Sequence, residues 1–310
     1  MADLRFDVAA GTRNAALAPP GPAFEKAGSH PSLVLEVILS FVLMALAGPA
    51  LLAADTPAGV PALPGGARTH WVVEQPEEIV VYLAFDPATV QKRLPSTLRF
   101  ITVGELAAGG VPWATEHVST HPTQASWGIS FLEIVRMGTF TIDGRGPHWP
   151  EGGAAALWFA RVAPSDPATD LGPGRPLLVL DFWVPDRSYV AYMLEKGHYG
   201  EYGDVRLRRG PAGEWSGSVS ADGLRVVATC VPAGPVAGGA GSAGMQALFP
   251  PGSSSVADVV RVAFAGHREQ ACEGAASWEL HGTHPLAGGV LLGSSSFQFG
   301  YHLIGGAYPQ

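Results

Sequence analysis

The chain has 310 residues, of which 47% are apolar and 15% are charged, and its formal net charge is −8. This apolar content excludes an intrinsically disordered chain. The acidic balance, without a basic stripe, argues against nucleic acid or an anionic membrane as a partner. The 40 glycines and 27 prolines follow no short period and are typical of many strands joined by turns.

The first 54 residues contain an apolar segment, residues 33–54, that differs from the rest of the chain. Its first part has the length of a signal-peptide core, and the small-x-small pattern at 45–47 is one that signal peptidase cleaves. The sequence therefore predicts an exported protein, secreted or periplasmic. A retained membrane anchor is the alternative, since about 20 residues suffice to span a bilayer; a segment with neither role is the third reading. Residues 55–73 are predicted to be a Pro/Gly linker.

Residues 74–310 are predicted to form one mainly β domain, an antiparallel barrel or sandwich with a few short helices. A short helix is predicted over 86–94, where Asp86-Pro87 supplies an N-cap and a first-turn proline. A second helix is predicted after Pro185-Asp186, and the Gly/Ala-rich stretch 233–244 is predicted to be a loop. Strands are predicted at 78–85, 98–103, 127–137, 154–163, 176–183, 204–209, 214–219, 223–230, 257–267, 276–281 and 290–299.

Motifs for the common enzyme classes are missing from the sequence. Neither a nucleophile elbow nor a phosphate-binding loop occurs, and the glycine runs lack the strand–turn–helix setting of a dinucleotide site. His117 and His121 have the i, i+4 spacing of metal ligands, but Pro122 argues against a helix there, so neither a metal nor another cofactor is predicted. Cys230 and Cys272 are either one disulfide or two small buried residues.

Four segments together resemble the acetoacetate decarboxylase family. They are EIVVYLAFDPATVQKRLPSTLRF at 78–100, FLEI at 131–134, VPDRSYVAYMLEKGHYGEYGDV at 184–205 and WELHGTHPLAGGVLLGSSSFQF at 278–299; SADGLRVVATC at 220–230 fits the same pattern. The resemblance covers most of 74–300. It implies a double-layered antiparallel β-barrel around a central cavity, a small or polyketide-like keto or carbonyl compound as ligand, and assembly into a homo-oligomer.

The resemblance also indicates that the family's catalytic lysine is replaced. Members carry an acidic residue and then Tyr-Pro-Lys-Lys, and one lysine forms a Schiff base with the keto acid; a lysine of this kind is activated by desolvation or a neighbouring cation. In this sequence Glu195 and Tyr199 match the acid and the tyrosine, whereas Glu201 and Tyr202 stand in place of the two lysines. A carboxylate cannot form an imine. Lys196 would enter the cavity only if the loop were aligned differently.

The resemblance therefore predicts a site that works through carboxyl groups. Glu201 is expected to be the general acid/base, Glu133 (the acid of FLEI) the second carboxylate, and Tyr202 the donor to a carbonyl oxygen. Carboxyls in an apolar cavity would have raised pKa values and could catalyse decarboxylation, dehydration, enolisation or cyclisation. The alternative is an exported barrel that binds a small molecule without catalysis. The expected ligand-binding residues are Arg136, Asp143, His148, Tyr199 and Lys196.

Overall fold

The computed structural model describes residues 69–74, 76–142, 153–168, 175–195, 200–249, 258–298 and 301–307. The apolar segment 33–54, most of the linker, and four of the expected site residues (Asp143, His148, Lys196 and Tyr199) lie outside these ranges. Within them, no helix is both long enough and apolar enough to cross a membrane.

Fourteen strands form the described structure, and three α-helices accompany them. The strands are β1 (Thr69–Glu74), β2 (Glu77–Phe85), β3 (Leu98–Phe100), β4 (Gly128–Arg136), β5 (Thr139–Ile142), β6 (Ala154–Pro164), β7 (Arg175–Val184), β8 (Glu201–Tyr202), β9 (Asp204–Arg209), β10 (Trp215–Ala221), β11 (Leu224–Phe249), β12 (Asp258–Gly282), β13 (Val290–Gln298) and β14 (Tyr301–Ala307). The helices are α1 (Val103–Ala108), α2 (Pro112–Thr120) and α3 (Arg187–Glu195).

The strand pairings form a closed circuit, which confirms the predicted mainly β barrel. Strands β12, β13, β2, β4, β6, β7 and β11 follow one another, and β11 pairs with β12 to complete the ring. Nearly all pairings are antiparallel, as predicted. Strand β7 adds two parallel ones, with β8 and with residues 245–248 of β11.

The sheet segment β2–β4–β6–β7 has two buried faces. Successive side chains of a strand point to opposite faces of a sheet, and in these strands the side chains on both faces are mostly apolar. The first face (Ile79, Val81, Leu132, Trp158 and their neighbours) is covered by β9, β10 and the amino-terminal half of β11, as in the contact of Val219 and Val226 with this core. The second face (Val80, Phe131, Val135, Phe159, Val179 and their neighbours) is covered in part by α3 through Tyr189.

A bulge in β7 changes which face one charged residue occupies. The register of β7 against β6 shifts between Trp158 and Phe159, so that Asp181 is paired with Trp158. The Asp181 carboxylate is 1% exposed and accepts two hydrogen bonds from Nη1 of Arg93, at 2.7 and 2.8 Å. His284 Nε2 lies 3.3 Å from the same carboxylate. The three residues thereby connect a 3-10 turn (Gln91–Arg93), strand β7 and the turn after β12.

Several predicted elements differ from the observed ones. Residues 86–94 form two 3-10 turns instead of an α-helix. The predicted loop 233–244 lies within β11, and the strands predicted at 257–267 and 276–281 are parts of β12. A helix, α2, does contain His117. The two cysteines form the disulfide Cys230–Cys272, which connects β11 to β12.

Candidate active site

The second face of the sheet carries a group of polar side chains among its apolar ones. Glu78 and Tyr82 project from β2, Glu133 from β4, Glu269 from β12 and Ser295 from β13. Glu78 and Glu269 are each 5% exposed, and Ser295 is fully buried. Glu133 and Tyr82 are half-buried. These five residues are called the carboxyl cluster below.

Strand register explains how residues so distant in sequence come together. Glu133 is paired with Val80 and Glu78 with Val135, so the two glutamates are diagonal neighbours on one face. Such diagonal pairs lie within reach of long side chains. On the other side of β2, Glu78 is paired with Phe297, and Phe297 is paired with Glu269.

Glu78 and Glu133 act on each other's proton affinity. Burial raises the pKa of Glu78 well above its usual value, and the charge of Glu133, a hydrogen bond to Glu133 and the charge of Glu269 raise it further. Burial also raises the pKa of Glu133, while the hydrogen bond from Glu78 acts in the lowering direction. The pKa of Glu78 is raised further than that of Glu133, so in the hydrogen bond between them Glu78 is the donor and Glu133 the acceptor.

Glu269 and Tyr82 form the other half of the carboxyl cluster. Burial raises the pKa of Glu269 to about 7, and the Ser295 hydroxyl opposes that shift. Burial, followed by the charge of Glu269, raises the pKa of Tyr82 well above its usual value, so its phenol keeps its proton. Both groups lie near the hydroxyl of Ser295.

Three atoms of the carboxyl cluster are buried without a hydrogen-bond partner among the described residues. They are Oε2 of Glu78, Oε1 of Glu269 and Oγ of Ser295. Ser295 lies close enough to affect the pKa values of Glu269 and Tyr82, but its Oγ does not reach hydrogen-bonding geometry with either group. Unpaired buried polar atoms are costly and uncommon in folded proteins. Three of the five such atoms among the described residues belong to the carboxyl cluster, where a ligand could complete the hydrogen bonding, and the other two are the indole nitrogens of Trp158 and Trp278.

Of the three residues expected to carry the chemistry, the structure places Glu133 in the carboxyl cluster. Glu201 and Tyr202 form the two-residue strand β8 and are exposed. Glu201 is paired with Trp183, a first-face residue, so strand register puts it on the side of the sheet opposite Glu133. Tyr202 lies under Arg187, with the guanidinium 4.0 Å from the ring centroid. The structure does not bring Glu201 and Glu133 together.

Among the expected ligand-binding residues, Arg136 is described, and it also points away from Glu133. It forms an ion pair with Glu77 and stands over the ring of Trp215 on the first face. A small cavity of about 20 Å³ also belongs to the first face, where it is lined by Ile79, Val81, Cys230, Trp278, Leu291 and their neighbours. It holds about one water molecule and is separate from the carboxyl cluster.

Sequence reasoning missed Glu78, Tyr82, Glu269 and Ser295. A signal for the first two exists, because the alternation in EEIVVYLAF puts residues 78, 80 and 82 on one face of a strand with apolar residues on both faces. No comparable signal marks Glu269, which follows Arg268 and precedes Gln270 in a polar stretch.

No metal centre is found within the described ranges, where no group of three or more His, Cys, Asp or Glu is arranged to hold an ion. His117 and His121 stack with their ring centroids 4.8 Å apart, and Nε2 of His117 lies 2.8 Å from the side-chain oxygen of Gln124.

Comparison with known proteins finds similarity at the level of structure. No protein-family model and no curated protein sequence matches the chain. An acetoacetate decarboxylase-like enzyme from Sphingomonas wittichii RW1 is similar at 15% identity and a TM-score of 0.48, over 83% of this chain and 98% of that one. The enduracididine biosynthesis enzyme MppR, in complex with pyruvate, is similar at 14% identity and a TM-score of 0.48, over 84% of this chain and 96% of that one.

Proposed function

We propose that this protein catalyses proton transfer on a small keto or carbonyl compound bound against the second face. Glu133 acts as the general base and Glu78 as the general acid. The observation that carries the proposal is the hydrogen-bonded pair of carboxyls on the second face, in which Glu78 has the more strongly raised pKa and donates to Glu133. An acid and a base side by side on an apolar surface are the groups that enolisation requires.

The reaction can be written with every proton placed. The Glu133 carboxylate removes a proton from the carbon next to the carbonyl group, and the electrons of that C–H bond form the enol double bond. The carboxyl of Glu78 donates its proton to the carbonyl oxygen. For a β-keto acid, the electrons of the bond to the departing CO₂ take the place of those of the C–H bond. Glu133 then delivers to the carbon the proton it removed or, after loss of CO₂, one taken from solvent, while the enol O–H returns its proton to Glu78 and the C=O bond of the ketone forms again.

We also propose that the chain belongs to the acetoacetate decarboxylase-like superfamily and works without an imine. The lysine content supports the second part of this proposal, a mechanism without an imine. Within the described residues the one lysine is Lys92, which is exposed on a 3-10 turn. Borohydride treatment in the presence of acetoacetate or pyruvate is therefore expected to leave the intact mass unchanged. A substrate-sized adduct on Lys196 would restore a Schiff-base mechanism.

The direct test is exchange of solvent deuterium into the methyl groups of a ketone, together with CO₂ release from acetoacetate. We expect Glu133→Gln and Glu78→Gln each to lower the rate by about 100-fold or more, the usual contribution of a general acid or base. Glu279→Gln is the matched control, since Glu279 is an exposed glutamate on β12. Wild-type rates in the Glu133→Gln variant would contradict the assignment.

A second function, ligand binding without turnover, is favoured by the exposure of Glu201. The family resemblance puts Glu201 at the position of the nucleophilic lysine, and there it faces away from Glu133. Under this alternative the wild-type protein binds a ketone but shows no exchange and no CO₂ release, and Glu201→Gln leaves its affinity unchanged.

We further propose that the protein is exported. The disulfide Cys230–Cys272 supports this, because disulfides persist in oxidising compartments and are rare in the cytosol. Cell fractionation is the test, and recovery of the full-length chain from the cytosol would contradict it.

A further inference from the structure

The carboxyl cluster contains one more carboxyl than the proposed reaction uses. Glu78 and Glu133 form the acid/base pair, whereas Glu269 lies on the far side of β13 from Glu78. Two strand spacings separate the backbones of Glu269 and Glu78, which is about 10 Å. Phe297 occupies the position between them. Glu269 is thus placed to contact a different part of a ligand from the part that reacts.

Among the side chains that the structure describes around Glu269 there are polar groups but no cation. Tyr82 and Glu78 face Glu269 from β2 and Ser295 from β13, with Glu133 beyond on β4. Burial raises the pKa of the Glu269 carboxyl, and the Ser295 hydroxyl opposes that shift. Its neighbours Arg268 and Gln270 project to the other side of β12, as alternation along a strand requires. Among the arginines whose side chains the structure describes, Arg161 on β6 and Arg187 on α3 lie on the second-face side, and β6 is beyond β4 in the strand order.

The unpaired atoms indicate what this part of the site lacks. Oε1 of Glu269 and Oγ of Ser295 have no hydrogen-bond partner among the described residues, although the Ser295 residue is fully buried and Glu269 is 5% exposed. A buried carboxylate is stabilised by a positive charge, and a buried anion would be repelled by it. The described carboxyls are not arranged to coordinate a metal ion, so the complementary charge is that of an organic cation.

We propose that Glu269, with Ser295 and Tyr82, forms a subsite for a cationic nitrogen, so that the ligand of this protein is a ketone carrying an ammonium-type group several bonds from its carbonyl. The position of the carbonyl rests on the proposed function, whereas the cation subsite is tested by binding alone. The proposal departs from what the family resemblance implies, which is an anionic keto acid.

Three ketones with the same acetyl–trimethylene chain test the proposal. They are (4-oxopentyl)trimethylammonium, its neutral carbon isostere 6,6-dimethylheptan-2-one, and the anion 5-oxohexanoate. Binding to the full-length protein is measured by calorimetry. We expect the cation to bind about tenfold or more tightly than the isostere and the anion to bind most weakly. Glu269→Gln should remove the difference between cation and isostere, and Glu279→Gln should keep it.

A pH series on the wild-type protein gives a second measurement that needs no variant. The cation should bind more tightly as the pH is raised from about 6 to about 8, because the carboxyl of Glu269 ionises in that range, and the affinity of the isostere should stay constant. Equal affinities for cation and isostere, tightest binding of the anion, or no binding of any probe at millimolar concentration would each overturn the proposal. Deuterium exchange rates test the proposed proton transfer separately, so the cation subsite can fail its test while the proposed function holds, and the reverse.

Discussion

Burial of Glu269 makes the stability of the protein depend on pH. The pKa of this carboxyl rises from an ordinary 4.5 in the unfolded chain to about 7 in the fold, so between these values the folded state binds the extra proton. Protonated Glu269 therefore favours the folded state. This stabilisation is fully present below about pH 4.5 and is lost as the pH rises through about 7, and the loss lowers the free energy of unfolding by about 3 kcal/mol.

Glu269→Gln should remove this dependence, because the amide does not ionise. We expect the variant to exceed the wild type in unfolding free energy at pH 8 by up to about 3 kcal/mol and to match it near pH 4.5. Urea titrations at the two pH values measure the difference. Glu279→Gln should show no such crossover, and a wild-type excess at pH 8 would contradict the prediction.

Asp181, which forms an ion pair with Arg93, is a second residue whose burial affects stability. Asp181→Asn removes the negative charge that pairs with Arg93 and leaves one acceptor oxygen where two carboxylate oxygens face Arg93 and His284. Arg93 is 36% exposed and keeps part of its hydration, so we expect Asp181→Asn to cost about 3 kcal/mol, the lower end for a broken buried pair.

The exposed pair Arg206–Asp204, with side chains 58% and 48% exposed, provides the matched control. Asp204→Asn should cost less than about 1 kcal/mol. Thermal or urea unfolding of the two variants measures the contrast, and equal losses would show that the contacts of Asp181 with Arg93 and His284 add nothing to stability.

At the scale of elements, the turn between β12 and the following 3-10 turn depends on Gly282. This residue has a φ of +126°, and a Cβ there would lie 1.9 Å from the backbone oxygen of Gly223. Gly282→Ala should therefore lower the unfolding free energy by roughly 2–3 kcal/mol or prevent accumulation of folded protein. Gly288→Ala, where a Cβ meets nothing within 4 Å, should stay within about 1 kcal/mol of wild type.

Helices illustrate which local signals the sequence carries. Helix α3 was predictable because Asp186 is its N-cap, and the Asp186 carboxylate accepts from the backbone N–H of Ser188 and Tyr189. Helix α1 carries an equally readable signal that we did not use. Thr102 and Glu105 form a capping box with reciprocal hydrogen bonds, the T-x-x-E pattern of a helix start.

Strand β11 shows where local signals fail. Its Gly/Ala-rich middle has the composition of a loop, yet this part of the strand pairs with β12 through residues 237–239 and 242–249. The backbone hydrogen bonds that hold such a segment in a sheet come from the partner strand, which lies far away in sequence. Register shifts at three places along the pair accommodate its irregular composition.

At the scale of the whole molecule, β11 and β12 close the circuit of strands, and the Cys230–Cys272 disulfide connects them. Its cysteines are 42 residues apart. Replacing both by serine should lower the unfolding free energy by about 2–4 kcal/mol, because the bond restricts the unfolded chain. Reductant should destabilise the wild type in urea titrations and leave the double variant unchanged. A wild type insensitive to complete reduction would contradict the prediction.

The sequence by itself determined the mainly β class, most strands of the domain, helix α3 and the place of Glu133 on a strand. These follow from alternation, β-branched composition and helix caps, which act over a few neighbouring residues. The tertiary structure alone decided that Glu133 lies beside Glu78, that Glu269 and Ser295 share their face, and that Glu201 is exposed on the other side. Those facts depend on the register of strands up to about 220 residues apart in the chain. Shifting a register by one residue would turn every side chain of the strand to the opposite face.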